Sequence, residues 1–227
     1  MSAVATHEPA HSGAAIKSAA AWLITAAVIL WALLISVGYL LTHGLENSML
    51  VRWDHSVERS LSRHRSGGLT TVTHYATFGA ETLTVIGIGL VVFIVLRIVL
   101  RRWRESIFLA VALIGEVTIF VSTTMFVDRD RPDVAHLDGA PPTSSFPSGH
   151  TAASVALYGS LAVIAVGLGA RAWVRWILLV LAVVMPATVA MSRLYRGMHF
   201  PTDVIAGALF ALTWLMVARA VLFRRRS

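Results

Sequence analysis

The stretch AAAWLITAAVILWALLISVGYLL, Ala19 to Leu41, runs 23 residues without a charged side chain. A helix rises about 1.5 Å per residue, so this run covers a hydrocarbon core of about 30 Å. It is longer than the apolar part of a secretory signal, and no small-residue cleavage pattern follows it. It reads as a retained membrane span. Five more apolar runs lie at about Leu83–Leu100, Ile107–Val127, Thr151–Ala170, Trp173–Ala190 and Val204–Phe223. None shows the polar–apolar alternation of a barrel strand. The expected fold is all-α: a six-transmembrane helix bundle.

Composition agrees. Of the 227 residues, 56% are apolar and 14% charged, against about 45–50% and about 25% in soluble domains. Cysteine is absent, which removes disulfides and thiolate metal sites. The net charge is +7. In a soluble chain that balance points to nucleic acid; here the arginines fall in loops at span ends, so no nucleic-acid partner is expected. Lys17 is the single lysine.

Residues 1–17 read as a disordered cytoplasmic tail, and 18–227 as one membrane-embedded domain. Dense basic clusters at Arg97–Arg104 and Arg224–Arg226 put both termini on the cytoplasmic side. Between the first two spans, Leu50, Trp53, Val57 and Leu61 recur at helical spacing. Arg52, Asp54, His55, Glu58, Arg59 and Arg63 fill the other side. This predicts an amphipathic helix on the outer interface. Glu116, inside the third span, is expected to be protonated or paired near Thr118. Gly87 and Gly89 read as close helix packing.

Span parity places two polar loops on one membrane face. The first holds Arg129, Arg131-Pro132 and Pro147-Ser148-Gly149-His150. The second holds Ser192-Arg193, Tyr195, Arg196, His199 and Asp203. A helix starting at Gly149 offers free N–H groups and a positive dipole end, which suit an anion. Ser148 adds a hydroxyl, and Arg131 and Arg193 add planar donors for phosphoryl oxygens or a lipid headgroup. His150 and His199 suit proton transfer and nucleophilic attack near neutral pH. Asp203, four residues after His199, is placed to accept a bond from one ring nitrogen and orient the other. Arg129 and Arg196 read as structural or solvated, and Tyr195 as an interfacial aromatic. The other histidines show no metal spacing.

These three motifs resemble the type 2 phosphatidic acid phosphatase superfamily, whose pattern is K-x6-R-P, P-S-G-H and S-R-x5-H-x3-D. The resemblance covers the outer loops and the six-span layout. It implies an integral membrane lipid phosphatase acting without metal or other cofactor. His199 would be the nucleophile that forms a phosphohistidine, Asp203 its partner, and His150 the acid and then the base. Arg131, Ser148, Gly149 and Arg193 would bind phosphate. Candidate substrates are a polyprenyl diphosphate, a phosphatidic acid or a phosphatidylglycerol phosphate, with the tail in the bilayer. The site would face outward from a bacterial plasma membrane. A phosphotransferase using the same intermediate and a non-catalytic lipid-binding or transport protein are the alternatives. One departure stands out: the family lysine falls at Thr124, with Arg129 a partial substitute.

Overall fold

Helix α1, Ala10–Tyr39, runs on through a π turn at Leu40–Gly44 in the computed structural model, which describes residues 10–223. Seven helices follow: α2 Met49–Arg63, α3 Gly67–Phe78, α4 Thr82–Leu100, α5 Arg104–Thr124, α6 Gly149–Gly167, α7 Ala172–Tyr195 and α8 Pro201–Leu222. No strand occurs among the described residues. Six helices, α1 and α4 to α8, are long and apolar enough to cross a membrane. Helix already occupies residues 10–17, a stretch expected in the loose tail, because Ala10, Ala14 and Ala15 favour it. Residues 1–9 of that tail and the Arg224–Arg226 cluster lie outside the described residues.

Helix α6 is the axis of the bundle, packed on α5, α7 and α8. Its buried residues are mostly small: Ala152, Ser154, Ala156, Ser160, Ala162 and Ala165. Lipid tails are as apolar as leucine, so close van der Waals packing must hold such helices together, and small residues permit it. Gly207 of α8 shows the limit. A Cβ there would sit 2.5 Å from the Ser148 carbonyl oxygen. Gly89 likewise abuts Leu113. Gly87 faces open space, so the packing expectation holds for one of the pair. Glu116 is buried on α5 with Oε1 lacking a partner. That burial inside the bundle is as expected; of the two expected states, protonated or paired, no bond to Thr118 is made, since Thr118 is exposed and bonds the Ile114 carbonyl.

Helix α2 forms where expected. Val51, Asp54 and Glu58 are its buried positions, while Met49, Leu50 and Trp53 are exposed. The charged positions divide: Asp54 and Glu58 turn into the bundle, and Arg52, Arg59 and Arg63 stay exposed. At a bilayer interface apolar side chains need no protein cover, so the two acids can face the bundle. Helix α3 packs on α7. Tyr195 is buried rather than interfacial: its hydroxyl accepts from Ser66 N at 2.8 Å and donates to the Ser66 carbonyl at 3.2 Å.

The two polar loops meet at this same end of the bundle. Leu137 N donates to the Arg196 carbonyl at 3.1 Å, and Ser148 N to the Asp203 carbonyl at 3.0 Å. The arginine-rich turn between α4 and α5 lies at the other end, where Arg102 pairs with Glu105 at 2.7 Å.

Candidate active site

Gly197 adopts φ +73°, a left-handed turn that glycine takes without a Cβ penalty. It ends the stretch after α7 and directs the chain into Met198 and His199. Pro201 then opens α8 with its fixed φ. Asp203 sits at the third helical position, and its Oδ2 accepts the Phe200 N–H at 2.9 Å. The carboxylate thus satisfies a donor that the start of the helix leaves free.

His199 is buried, 5% exposed. Its Nδ1 donates to the Ser145 carbonyl at 2.7 Å. Asp203 Oδ2 stands 3.8 Å from the same nitrogen, beyond hydrogen-bond range. The expected His199–Asp203 hydrogen bond is therefore replaced by a main-chain acceptor from the other loop. A carbonyl accepts only, so it fixes the proton on Nδ1 and leaves Nε2 with its lone pair. No protein group among the described residues bonds Nε2. Burial holds the imidazole below the ordinary histidine range, against the pull of the Asp203 carboxylate and with the push of Arg193 and Arg131. The neutral form prevails at neutral pH.

Asp203 is committed elsewhere as well. Its Oδ1 is bridged by Arg129, which also donates to Thr202 Oγ1 at 2.7 Å and to Asp54 Oδ2 at 2.7 Å. Arg129 is 6% exposed. Two carboxylates and a hydroxyl take three of its five N–H donors and tie it to α2 and the start of α8, away from the place of the family lysine at Thr124. Thr124 ends α5 and bonds the Val121 carbonyl of its own helix.

His150 lies in the first turn of α6, half-buried and within electrostatic reach of His199, Arg193, Arg131 and Asp138. Gly149 opens that helix. Ser148 precedes it, fully buried, and its hydroxyl is shared with Thr151 at 3.0 Å. The Ser148 oxygen is engaged rather than open, while the first N–H groups of α6 lack intrahelical partners.

The two expected phosphate arginines differ. Arg131 is partly buried and donates to the Met198 carbonyl at 2.9 Å; its Nε is buried without a partner. Arg193 is 4% exposed and donates to Asp138 Oδ2 at 2.7 Å, its Nε also unpartnered. Asp138 is gripped further by Arg196, at 2.7 Å from Nε and 2.6 Å from Nη2. Burial alone would raise the Asp138 carboxyl. Bonds and charge from Arg196 and Arg193 hold it below the usual range instead. A carboxylate thus already occupies one side of Arg193, and Arg196 is buried and paired rather than solvated. Among the described residues no group of three or more His, Asp or Glu side chains lies close enough to share a metal ion.

The family model of the PAP2 superfamily matches residues 105–227, more than half of the chain. The chain belongs to the PAP2 superfamily. It is a membrane phosphatase of that family, and its six apolar helices make it an integral membrane protein. No curated protein matches it at a significant level. Among solved structures it resembles a transmembrane PAP2-type phosphatidylglycerolphosphate phosphatase from Bacillus subtilis. The TM-score is 0.72 at 18% identity, covering 86% of this chain and 94% of that one. It also resembles LpxE from Aquifex aeolicus, with TM-score 0.56 at 23% identity, covering 72% of this chain and 92% of that one. At these identities the likeness is one of fold.

Within this PAP2 fold, sequence reasoning missed Asp54, Thr202, Asp138 and the Ser145 carbonyl. Asp54 carried one readable signal: with Val51 and Glu58 it forms an i, i+3, i+7 stripe on α2. The carbonyl carried none.

Proposed function

We propose that this PAP2 protein hydrolyses a lipid phosphate or diphosphate through a phosphohistidine on His199. The carrying observation is the Ser145 carbonyl on Nδ1, which leaves Nε2 neutral and unengaged. Nε2 attacks phosphorus, a P–N bond forms, and the bond to the leaving oxygen breaks. His150, entering the step as imidazolium, gives that oxygen its proton. A water then attacks, His150 takes its proton, the P–N bond breaks and phosphate leaves. Arg131, Arg193, the Gly149 end of α6 and Ser148 stabilise the phosphoryl charge. Asp203 supports the cationic imidazole electrostatically from 3.8 Å.

An apolar groove of about 430 Å³ supports a lipid substrate. It runs between α1 and α8, along Leu34, Val37, Ile205 and Leu209, and ends at Leu50 and Thr202. Thr202 belongs to the first turn of α8, the helix that follows His199 directly, so a tail in the groove would run toward the end of the bundle that holds His199. On this reading, residues 18–227 act as one membrane-embedded phosphatase domain in a bacterial plasma membrane. Both termini are cytoplasmic and the site faces outward.

Phosphate release from a panel of polyprenyl diphosphates, phosphatidic acids and phosphatidylglycerol phosphates in detergent tests this. Release from at least one lipid is expected, undiminished by EDTA and blocked by vanadate, a five-coordinate phosphorus mimic. Loss of activity in EDTA contradicts it.

A further inference from the structure

Asp54, on α2, is fully buried. A carboxylate in that position is costly unless paired and hydrogen-bonded. Its partners are Thr202, at the start of α8, and Arg129, in the loop after α5. Oδ1 accepts the Thr202 N–H at 3.0 Å, a donor that the first turn of α8 leaves free. Oδ2 accepts from Thr202 Oγ1 and from Arg129 Nη2, the latter at 2.7 Å. Arg129 carries the link on to Asp203 and lies 4.7 Å over the Phe200 ring. His55, next to Asp54 on α2, meets that ring edge-on at 5.0 Å. Residues 200, 202 and 203 are thus gripped from α2, and His199 is the residue they follow.

We propose that Asp54 is a positioning residue for His199, acting through Thr202 and the Arg129–Asp203 pair. This rests on the reading of His199 as nucleophile. Two carboxylates share one guanidinium, so the cluster keeps a net negative charge beside the imidazole. Removing the Asp54 charge lets Arg129 neutralise Asp203 alone. The other charged or titratable groups facing His199 are His150 from α6, Arg193 from α7 and Arg131 from the loop. None of them bonds Asp54. Loss of the Asp54 charge therefore destabilises the imidazolium and moves the protonation of His199 to lower pH.

The test is Asp54→Asn, purified in detergent beside wild type and His199→Ala, with pH profiles on a soluble short-chain phosphate ester. The expected result is a fall in kcat of about tenfold to a hundredfold with KM nearly unchanged, since small misplacements of a reacting group cost that much. The acid limb of kcat/KM moves to lower pH. A purely structural role lowers the yield of folded protein and leaves the pH limb in place. Wild-type kcat with a wild-type limb overturns the proposal. If Asp54→Asn does not fold, Arg129→Lys decides: a single ammonium cannot span both carboxylates, so kcat falls similarly, and wild-type kcat overturns it. Full turnover by His199→Ala refutes the underlying reading, whatever Asp54 does.

Discussion

His199 gives its Nδ1 proton to the Ser145 carbonyl at 2.7 Å, not to Asp203, whose nearest oxygen is 3.8 Å away. The tautomer of this proposed nucleophile is therefore set by main chain that no side-chain substitution removes. The acid acts at one remove, as a charge and as an anchor for the start of α8.

Asp203→Asn should then cost less than loss of the acid in a Ser-His-Asp triad, where the wrong tautomer lowers kcat by about 10⁴. A fall of about tenfold to a hundredfold is expected, with lower thermal stability because Arg129 loses one of its two carboxylate partners. The kcat of purified protein measures it. A drop to the background of His199→Ala would return the tautomer role to Asp203.

Attack requires neutral His199. Burial lowers its pKa from the ordinary 6.5, and the nearby carboxylate only partly offsets that. The acid limb of kcat/KM, which reports the free enzyme, should lie below pH 6.5 and shift lower still in Asp203→Asn. A limb above 6.5 contradicts a buried nucleophile.

Gly207→Ala places a methyl 2.5 Å from the Ser148 carbonyl oxygen, a main-chain atom that cannot swing aside. Helices α6 and α8 must part, straining the 3.0 Å bond from Ser148 N to the Asp203 carbonyl. A loss of about 1–3 kcal/mol is expected, along with lower kcat. Thermal unfolding in detergent checks it, and an unchanged Tm would mean that the two helices are not in this contact.

Gly139 lies in the exposed loop between α5 and α6, and a side chain there meets nothing. The chain has no cysteine, so Gly139→Cys supplies the single thiol. A membrane-impermeant maleimide should label it on intact cells. Labelling only after permeabilisation would invert the proposed topology.

The spans were legible because twenty apolar residues in a row admit few readings. His150, His199, Asp203 and the two arginines were legible because their spacing put rare polar groups at the same ends of helices. Asp54 was not singled out, for a physical reason: an amphipathic pattern does not show which of its polar residues meets protein. Asp54 and Glu58 turn inward while Arg52, Arg59 and Arg63 stay exposed, and only the packing of α2 on the bundle separates them. Asp138 sits in a loop with no periodicity to mark it. The Ser145 acceptor is backbone, identical in every residue type, and only the fold brings it to His199. A single sequence also cannot show that Arg129 is tied down, since its three partners come from α2 and α8.

The most direct measurement is to trap the intermediate. Wild-type protein is mixed with a lipid phosphate labelled on the phosphorus that is released, then quenched in alkali, which spares P–N bonds. Peptide mapping should find the label on His199 and lose it in acid, and His199→Ala should take up none. Label on any other residue, or turnover by His199→Ala, would contradict the assignment of His199 as the nucleophile.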